Sequence, residues 1–217
     1  LTLIQQDHFY RTVPSVKRLK PAWEIKADLV IVAVKQYDLP ELTPELEHSV
    51  SQKSKLLFVQ NGMGHIELMQ RLTHPEIFVG VVEHGVLKKN DCEIEHTGSG
   101  VVKLAAFRGS YEVLAPIRDR LEHSLFPIEF RQDWYTLMAE KLLVNACINP
   151  LTALYRVENG DLIHNSRFRQ IMKRLFDEAF AVIELENEES YWQNVQNVCC
   201  NTAKNRSSML RDIETGR

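Results

Sequence analysis

Asp28-Leu29-Val30-Ile31-Val32-Ala33-Val34 is a continuous, β-branched apolar run, and Leu56-Leu57-Phe58-Val59 and Phe78-Val79-Gly80-Val81-Val82 repeat its character downstream. A strand that is apolar at consecutive positions buries both of its faces. Such strands belong to a sheet covered on both sides, not to a half-solvated sheet with strict alternation. The segments between them, Pro40 to Ser54 and Ile66 to His74, are suited to crossover helices. The first part of the chain therefore reads as α/β with a largely parallel sheet. Further on, Glu93 to Gly100 and Val101 to Ala105 read as two strands joined by a glycine turn and antiparallel to each other. Tyr111 to Ser124 carries Leu114, Ile117 and Leu121 at helical spacing, and Phe126 to Phe130 is placed to close the sheet.

From Asp133 onward the texture changes. Glycine recurs only at Gly160 and Gly216, and apolar residues repeat at intervals of three and four, the helical period. Trp134 to Tyr155, Ser166 to Glu186 and Glu188 to Lys204 read as helices, with a turn at Asn159-Gly160-Asp161. The composition shift near residue 131 sets the expected domains, 1–131 and 132–217.

The 217 residues are 44% hydrophobic and 25% charged, which excludes a disordered or collagen-like chain. A net charge of -3 leaves no basic excess for a phosphate backbone, so small molecules or proteins are expected as partners before nucleic acid. The N-terminus lacks the pattern of a secretory signal, and no stretch approaches a membrane span, so a cytoplasmic location is expected. The chain starts without an initiator Met, as expected of part of a longer product. Cys92, Cys147, Cys199 and Cys200 form no C-x-x-C, and the histidines no H-E-x-x-H. Reduced, mostly buried thiols and no metal are expected.

In an open parallel sheet, ligands bind beyond the carboxyl ends of the strands. Two such ends are polar here: Val34-Lys35-Gln36 and Gln60-Asn61-Gly62-Met63-Gly64. A lone strand-tip lysine is commonly just solvated, and Asn-Gly is commonly just a turn. Two adjacent tips bearing donors and small residues favour a ligand. Neither Gly62-Met-Gly64 nor Gly98-Ser-Gly100 completes G-x-G-x-x-G, since Glu67 and Lys103 stand in the third place.

The densest signal is Lys141, Asn145 and Asn149, spaced by four in Glu140 to Ala153. On a helix they form one polar row, and their neighbours Leu142, Leu143, Val144, Cys147 and Ile148 are apolar. Helix caps or helix-helix hydrogen bonds account for such a row structurally. Its apolar flanks favour a site instead, because buried amides and an ammonium need partners. Pro150, lacking an N–H, is expected to kink or loosen the helix beside the row. A partly desolvated lysine suits proton donation to a carbonyl oxygen that becomes an alkoxide, and asparagines add neutral donors and acceptors. That set fits reduction of a keto group, not triad hydrolysis or paired-carboxylate chemistry. Asn205-Arg206-Ser207-Ser208-Met209 adds two hydroxyls at an expected helix start, where a serine N-cap is the plain structural reading.

Val34-Lys35-Gln36, Gln60 to Gly64, Lys141 to Ala153, Asn159-Gly160 and Asn205 to Met209, in this order and at these separations, resemble the ketopantoate reductase (2-dehydropantoate 2-reductase) family. The resemblance implies NADPH-dependent reduction of 2-dehydropantoate to pantoate, toward pantothenate and coenzyme A. It implies an α/β Rossmann-type N-terminal domain, here without its first βα unit, joined to an all-α domain like that of 6-phosphogluconate dehydrogenase. Lys141 would be the general acid. Asn145, Asn149 and Asn159 would orient the substrate's hydroxyl and carbonyl end, with Asn205 and Ser208 toward its carboxylate. Asn61 would touch both cofactor and substrate, Lys35 the cofactor, and Val86 the cofactor through its backbone. The family's Gly-rich phosphate loop would precede Leu1, and its acidic residue would follow Arg217. A homodimer is the expected assembly. The alternatives are a relative acting on another 2-keto acid, and a non-catalytic binding protein derived from the fold.

Overall fold

The structure is a computed structural model that describes residues 2–5, 8–15, 24–122 and 126–216. It divides into two compact units, Leu1–Leu137 and Met138–Arg217. Each is described by itself.

The first unit holds two sheets. Strands β1 (Thr2–Gln5), β2 (His8–Arg11), β6 (Gly85–Asn90) and β7 (Glu93–Gly98) form a four-stranded sheet in the order β2-β1-β7-β6. Strands β3 (Leu29–Val32), β4 (Lys55–Phe58), β5 (Ile77–Val82), β8 (Val102–Arg108) and β9 (Ile128–Arg131) form a five-stranded sheet in the order β3-β4-β5-β8-β9. The three apolar runs of the sequence are β3, β4 and β5, and they pair in parallel as expected. Their connections carry α1 (Leu39–Ser49) and α2 (Ile66–Arg71).

Burial follows the pleat. Leu57, Phe78 and Leu104 pack with Leu114, Val113 and Ile117, which lie in a 3-10 turn (Tyr111–Leu114) and α3 (Ala115–Leu121). Leu56, Phe58, Ile77 and Val79, pointing to the other face by strand alternation, are also buried. β3 departs from this pattern. It is the outer strand of its sheet among the described residues, and Ile31 is 49% exposed. The helix expected to reach Ser124 ends at Leu121, and residues 123–125 and Arg217 lie outside the described residues.

The expected β7–β8 hairpin does not form. β7 pairs with β6 and β1, whereas β8 pairs antiparallel with β5. The reason is burial: Leu104 and Ala105 of β8 lie in the core, while β7 sets Glu93 and Glu95 among its residues and suits the more open sheet.

The second unit is helical. Helix α4 (Trp134–Tyr155) begins in the first unit and runs into the second. It is followed by α5 (Asp161–His164), α6 (Ser166–Val182), α7 (Glu188–Asn201) and α8 (Ser208–Glu214). Leu143, Val144, Cys147, Ile148 and Leu151 make the apolar stripe of α4 and pack with Leu162, Met172, Phe176, Val195 and Cys199. Asn165 caps α6 by accepting from the backbone N–H of Arg167 at 2.9 Å. The helix is continuous through Pro150. Cys147 and Cys199 are buried as expected of most thiols here, but Cys92 and Cys200 are exposed.

Candidate functional site

In the first unit the carboxyl ends of β3 and β4 lie side by side, since Val32 pairs with Phe58. Lys35 and Asn61 each sit three residues beyond their strand, and both are exposed. Gln60 braces the two tips. Its Nε2 donates to the carbonyl oxygens of Val32 at 2.8 Å and Val34 at 2.9 Å. Its Oε1 is buried without a partner among the described residues. The Gln36 side chain lies close over the loop after β4: a Cβ at Gly64 would collide with its amide, and one at Gly62 would lie 3.7 Å from its Oε1. Gly62 has φ +79°, a conformation that glycine adopts without penalty. Reading the tips from sequence assigns roles to Lys35 and Asn61 but passes over Gln60, which braces them. The signal for Gln60 is a carboxamide directly after an apolar run. His65, next in line, is buried against Phe58 with ring centroids 6.3 Å apart, and desolvation holds its imidazole below the ordinary His range.

Val86 lies apart from these tips, in β6 of the four-stranded sheet. It is half exposed and pairs with His96 of β7.

In the second unit, Lys141, Asn145 and Asn149 lie on α4, all half-buried, flanking the apolar stripe. Residues four apart rise about 6 Å along a helix and drift slowly around it, so the three make a ladder along one face. Near its end, the Thr152 hydroxyl is 3.0 Å from the carbonyl oxygen of Asn149 and 2.7 Å from Ser207 Oγ. Ser207 Oγ in turn accepts from the backbone N–H of Leu210 at 3.1 Å, so Ser207 is the N-cap of α8. The neighbouring Ser208 hydroxyl is left on the exposed side.

Asn159 and Asn205 meet through the backbone, the Asn159 N–H donating to the Asn205 carbonyl at 3.0 Å. Gly160 makes this approach possible, because a Cβ there would stand 2.8 Å from Ala203 Cβ. The amide of Asn159 is oriented by Thr202. That hydroxyl spends its proton on the Val198 carbonyl at 2.6 Å, so it accepts from Asn159 Nδ2 at 2.8 Å. Asn159 Oδ1 is thereby left as an acceptor, buried and without a partner among the described residues. The second unit thus holds two hydrogen-bonded sets, Asn149 with Thr152 and Ser207, and Asn159 with Asn205 and Thr202, with Asn145 and Lys141 one and two turns up α4 from Asn149.

Comparison with known proteins places the chain in a family. The family described as Ketopantoate reductase PanE/ApbA matches residues 3–109, and Ketopantoate reductase PanE/ApbA C terminal matches residues 133–217. The chain is similar to the 2-dehydropantoate 2-reductase of Bacillus subtilis (strain 168), at 46% identity over 191 residues covering 88% of this chain and 63% of that protein. It is similar to the Listeria innocua 2-dehydropantoate 2-reductase at 38% identity, covering 88% of this chain and 62% of that one. It thus spans under two thirds of the length of these curated relatives. Among solved structures, the probable 2-dehydropantoate 2-reductase panE of Bacillus subtilis superposes with a TM-score of 0.87 at 42% identity, over 100% of this chain and 73% of that one.

Proposed function

The chain belongs to the ketopantoate reductase family, and from that premise we propose that the protein it represents reduces 2-dehydropantoate to pantoate with NADPH. The observation that carries the reading is the ladder of Lys141, Asn145 and Asn149, running toward Asn159, Asn205 and Ser208. One cation among neutral amides is the donor set that a keto acid requires. Lys141 Nζ protonates the carbonyl oxygen as negative charge builds on it. Asn145 and Asn149 orient the carbonyl end without competing for the proton. Asn159 Oδ1, an acceptor only, takes a substrate hydroxyl, and Asn205 with Ser208 faces the carboxylate.

The strand tips of the first unit fit a nucleotide. Lys35 offers an exposed cation for phosphate and Asn61 an amide, on tips that Gln60 braces. Val86 contributes backbone groups. When bound, the nicotinamide supplies the hydride that adds to the keto carbon. NADPH over NADH, a homodimeric assembly and a cytoplasmic location are parts of the same proposal. No helix among the described residues is long and apolar enough to cross a membrane.

Steady-state kinetics of the full protein over a panel of 2-keto acids, with each nicotinamide cofactor, test the reading. The highest kcat/KM is expected for 2-dehydropantoate with NADPH. A smaller keto acid that outranks it makes the protein a reductase of different specificity, and absence of turnover with every keto acid returns the chain to the binding-protein class.

A further inference from the structure

Two of the connections between the sheets of the first unit lie side by side. β5 passes to β6 through Glu83-His84, and β7 passes to β8 through Ser99-Gly100-Val101. These connections are in backbone contact: the Glu83 N–H donates to the Val101 carbonyl at 3.0 Å, and a Cβ at Gly100 would collide with the Glu83 carbonyl.

Two histidines lock the junction. His84 Nδ1 lies 2.9 Å from His96 Nε2, and the Gly100 backbone N–H donates to the same Nδ1 at 3.3 Å. A backbone amide can only donate, so the Gly100 contact makes Nδ1 of His84 an acceptor and puts the ring proton on Nε2, which is buried without a hydrogen-bond partner among the described residues. His96 Nε2 must then be the second donor. The Phe126 ring packs on both, with centroids 4.8 Å from His84 and 5.4 Å from His96. His96 is buried and is also the cross-strand partner of Val86.

We propose that His84 and His96 are positioning residues that hold Gly85 and Val86 at the start of β6, with His84 in the uncharged Nε2–H form. A proton added at His84 Nδ1 would face two N–H donors and undo the junction. Desolvation and the neighbouring His96 both hold His84 below the ordinary His range, and Glu83 pulls the other way. Lys103 occupies that carboxylate through an ion pair of 2.6 Å. The consequence for catalysis rests on the reading of Val86 as a cofactor contact, whereas the junction itself does not.

Long-range proton–nitrogen NMR of the imidazoles and hydrogen exchange at Val86 test the proposal without cofactor. In the unsubstituted protein His84 is expected as the Nε2–H tautomer, staying neutral below the ordinary His midpoint of 6.5. His96→Leu removes one donor. It should raise the His84 midpoint and speed Val86 exchange by about tenfold, with His96→Gln restoring protection because its amide can still donate. A proton on Nδ1 of His84, or Val86 exchange indifferent to His96→Leu, overturns the proposal. Should the leucine variant not fold, acid titration of the unsubstituted protein decides. Val86 exchange, corrected for the intrinsic rate, must rise as His84 protonates, and a flat profile overturns it. In the active enzyme His96→Leu should raise the KM for NADPH more than it lowers kcat. An enzyme with no turnover in any form would defeat the reductase reading while leaving the tautomer and exchange results standing.

Discussion

Lys141 and Thr202 show how differently two residues of the second unit act. Lys141 is expected to matter to the reaction and little to the fold. Lys141→Ala should lower kcat by roughly 10²-fold or more, the usual scale for losing a general acid, with the KM for NADPH nearly unchanged in steady-state kinetics. Normal turnover in that variant would move the proton donor elsewhere. Thr202 touches no substrate in the proposed mechanism, yet it dictates which end of the Asn159 amide is presented. Thr202→Val leaves Asn159 Nδ2 without its acceptor and should cost about 1–3 kcal/mol in urea unfolding, the penalty for an unpaired buried donor. Asn159 is legible in the sequence as part of a motif. Its orientation is not, because that depends on a hydroxyl on α7's C-terminal turn whose proton is already committed.

At the scale of elements, local pattern and tertiary pairing divide the information. Three apolar runs became three parallel strands, and the row of four-residue spacing became one face of α4, since both periodicities are properties of a single segment. The β7–β8 pairing failed because strand partners are chosen by which face needs burial, and Gly98-Ser-Gly100 allows a crossing between sheets as readily as a hairpin. The loop after β4 offers a test at this scale. Gly62 holds φ +79°, so Gly62→Ala should destabilise the first unit by about 1–2 kcal/mol, the cost of a left-handed L-residue, measured by denaturant unfolding. Unchanged stability would show that this loop relaxes without strain.

Over the whole molecule, the groups among the described residues whose ionisation is shifted in the acid range lie in the first unit. His65 is held below its ordinary value by desolvation, and His84 by desolvation and His96. Burial alone would raise the Glu47 carboxyl, but the Thr73 hydroxyl and amide together with His74 bring it below its ordinary 4.5. All three have depressed folded-state values. The stability they contribute is therefore complete above their unfolded values and drains as pH falls: from about 6.5 for the histidines, and below about 4.5 for Glu47. In the second unit burial pushes the Cys147 and Cys199 thiols up to about 12, and Lys173 is raised first by its hydrogen bond to Asp177; none of these titrates in acid. Acidification from pH 7 to 4 should thus open the first unit before the second in hydrogen exchange resolved by segment, and simultaneous opening would contradict it. The amino-acid sequence by itself determined the α/β-then-helical order, the parallel strands and the polar row of α4, because periodicity and composition act within a segment. Only the tertiary structure decided that Gln60 braces the strand tips, that Ser207 is joined to Thr152, that Asn159 presents its oxygen, and that His84 and His96 share one hydrogen bond. Each of those depends on groups far apart in the chain, and the choice among their possible partners is made by burial and unsatisfied polar atoms, which exist only once the segments have packed.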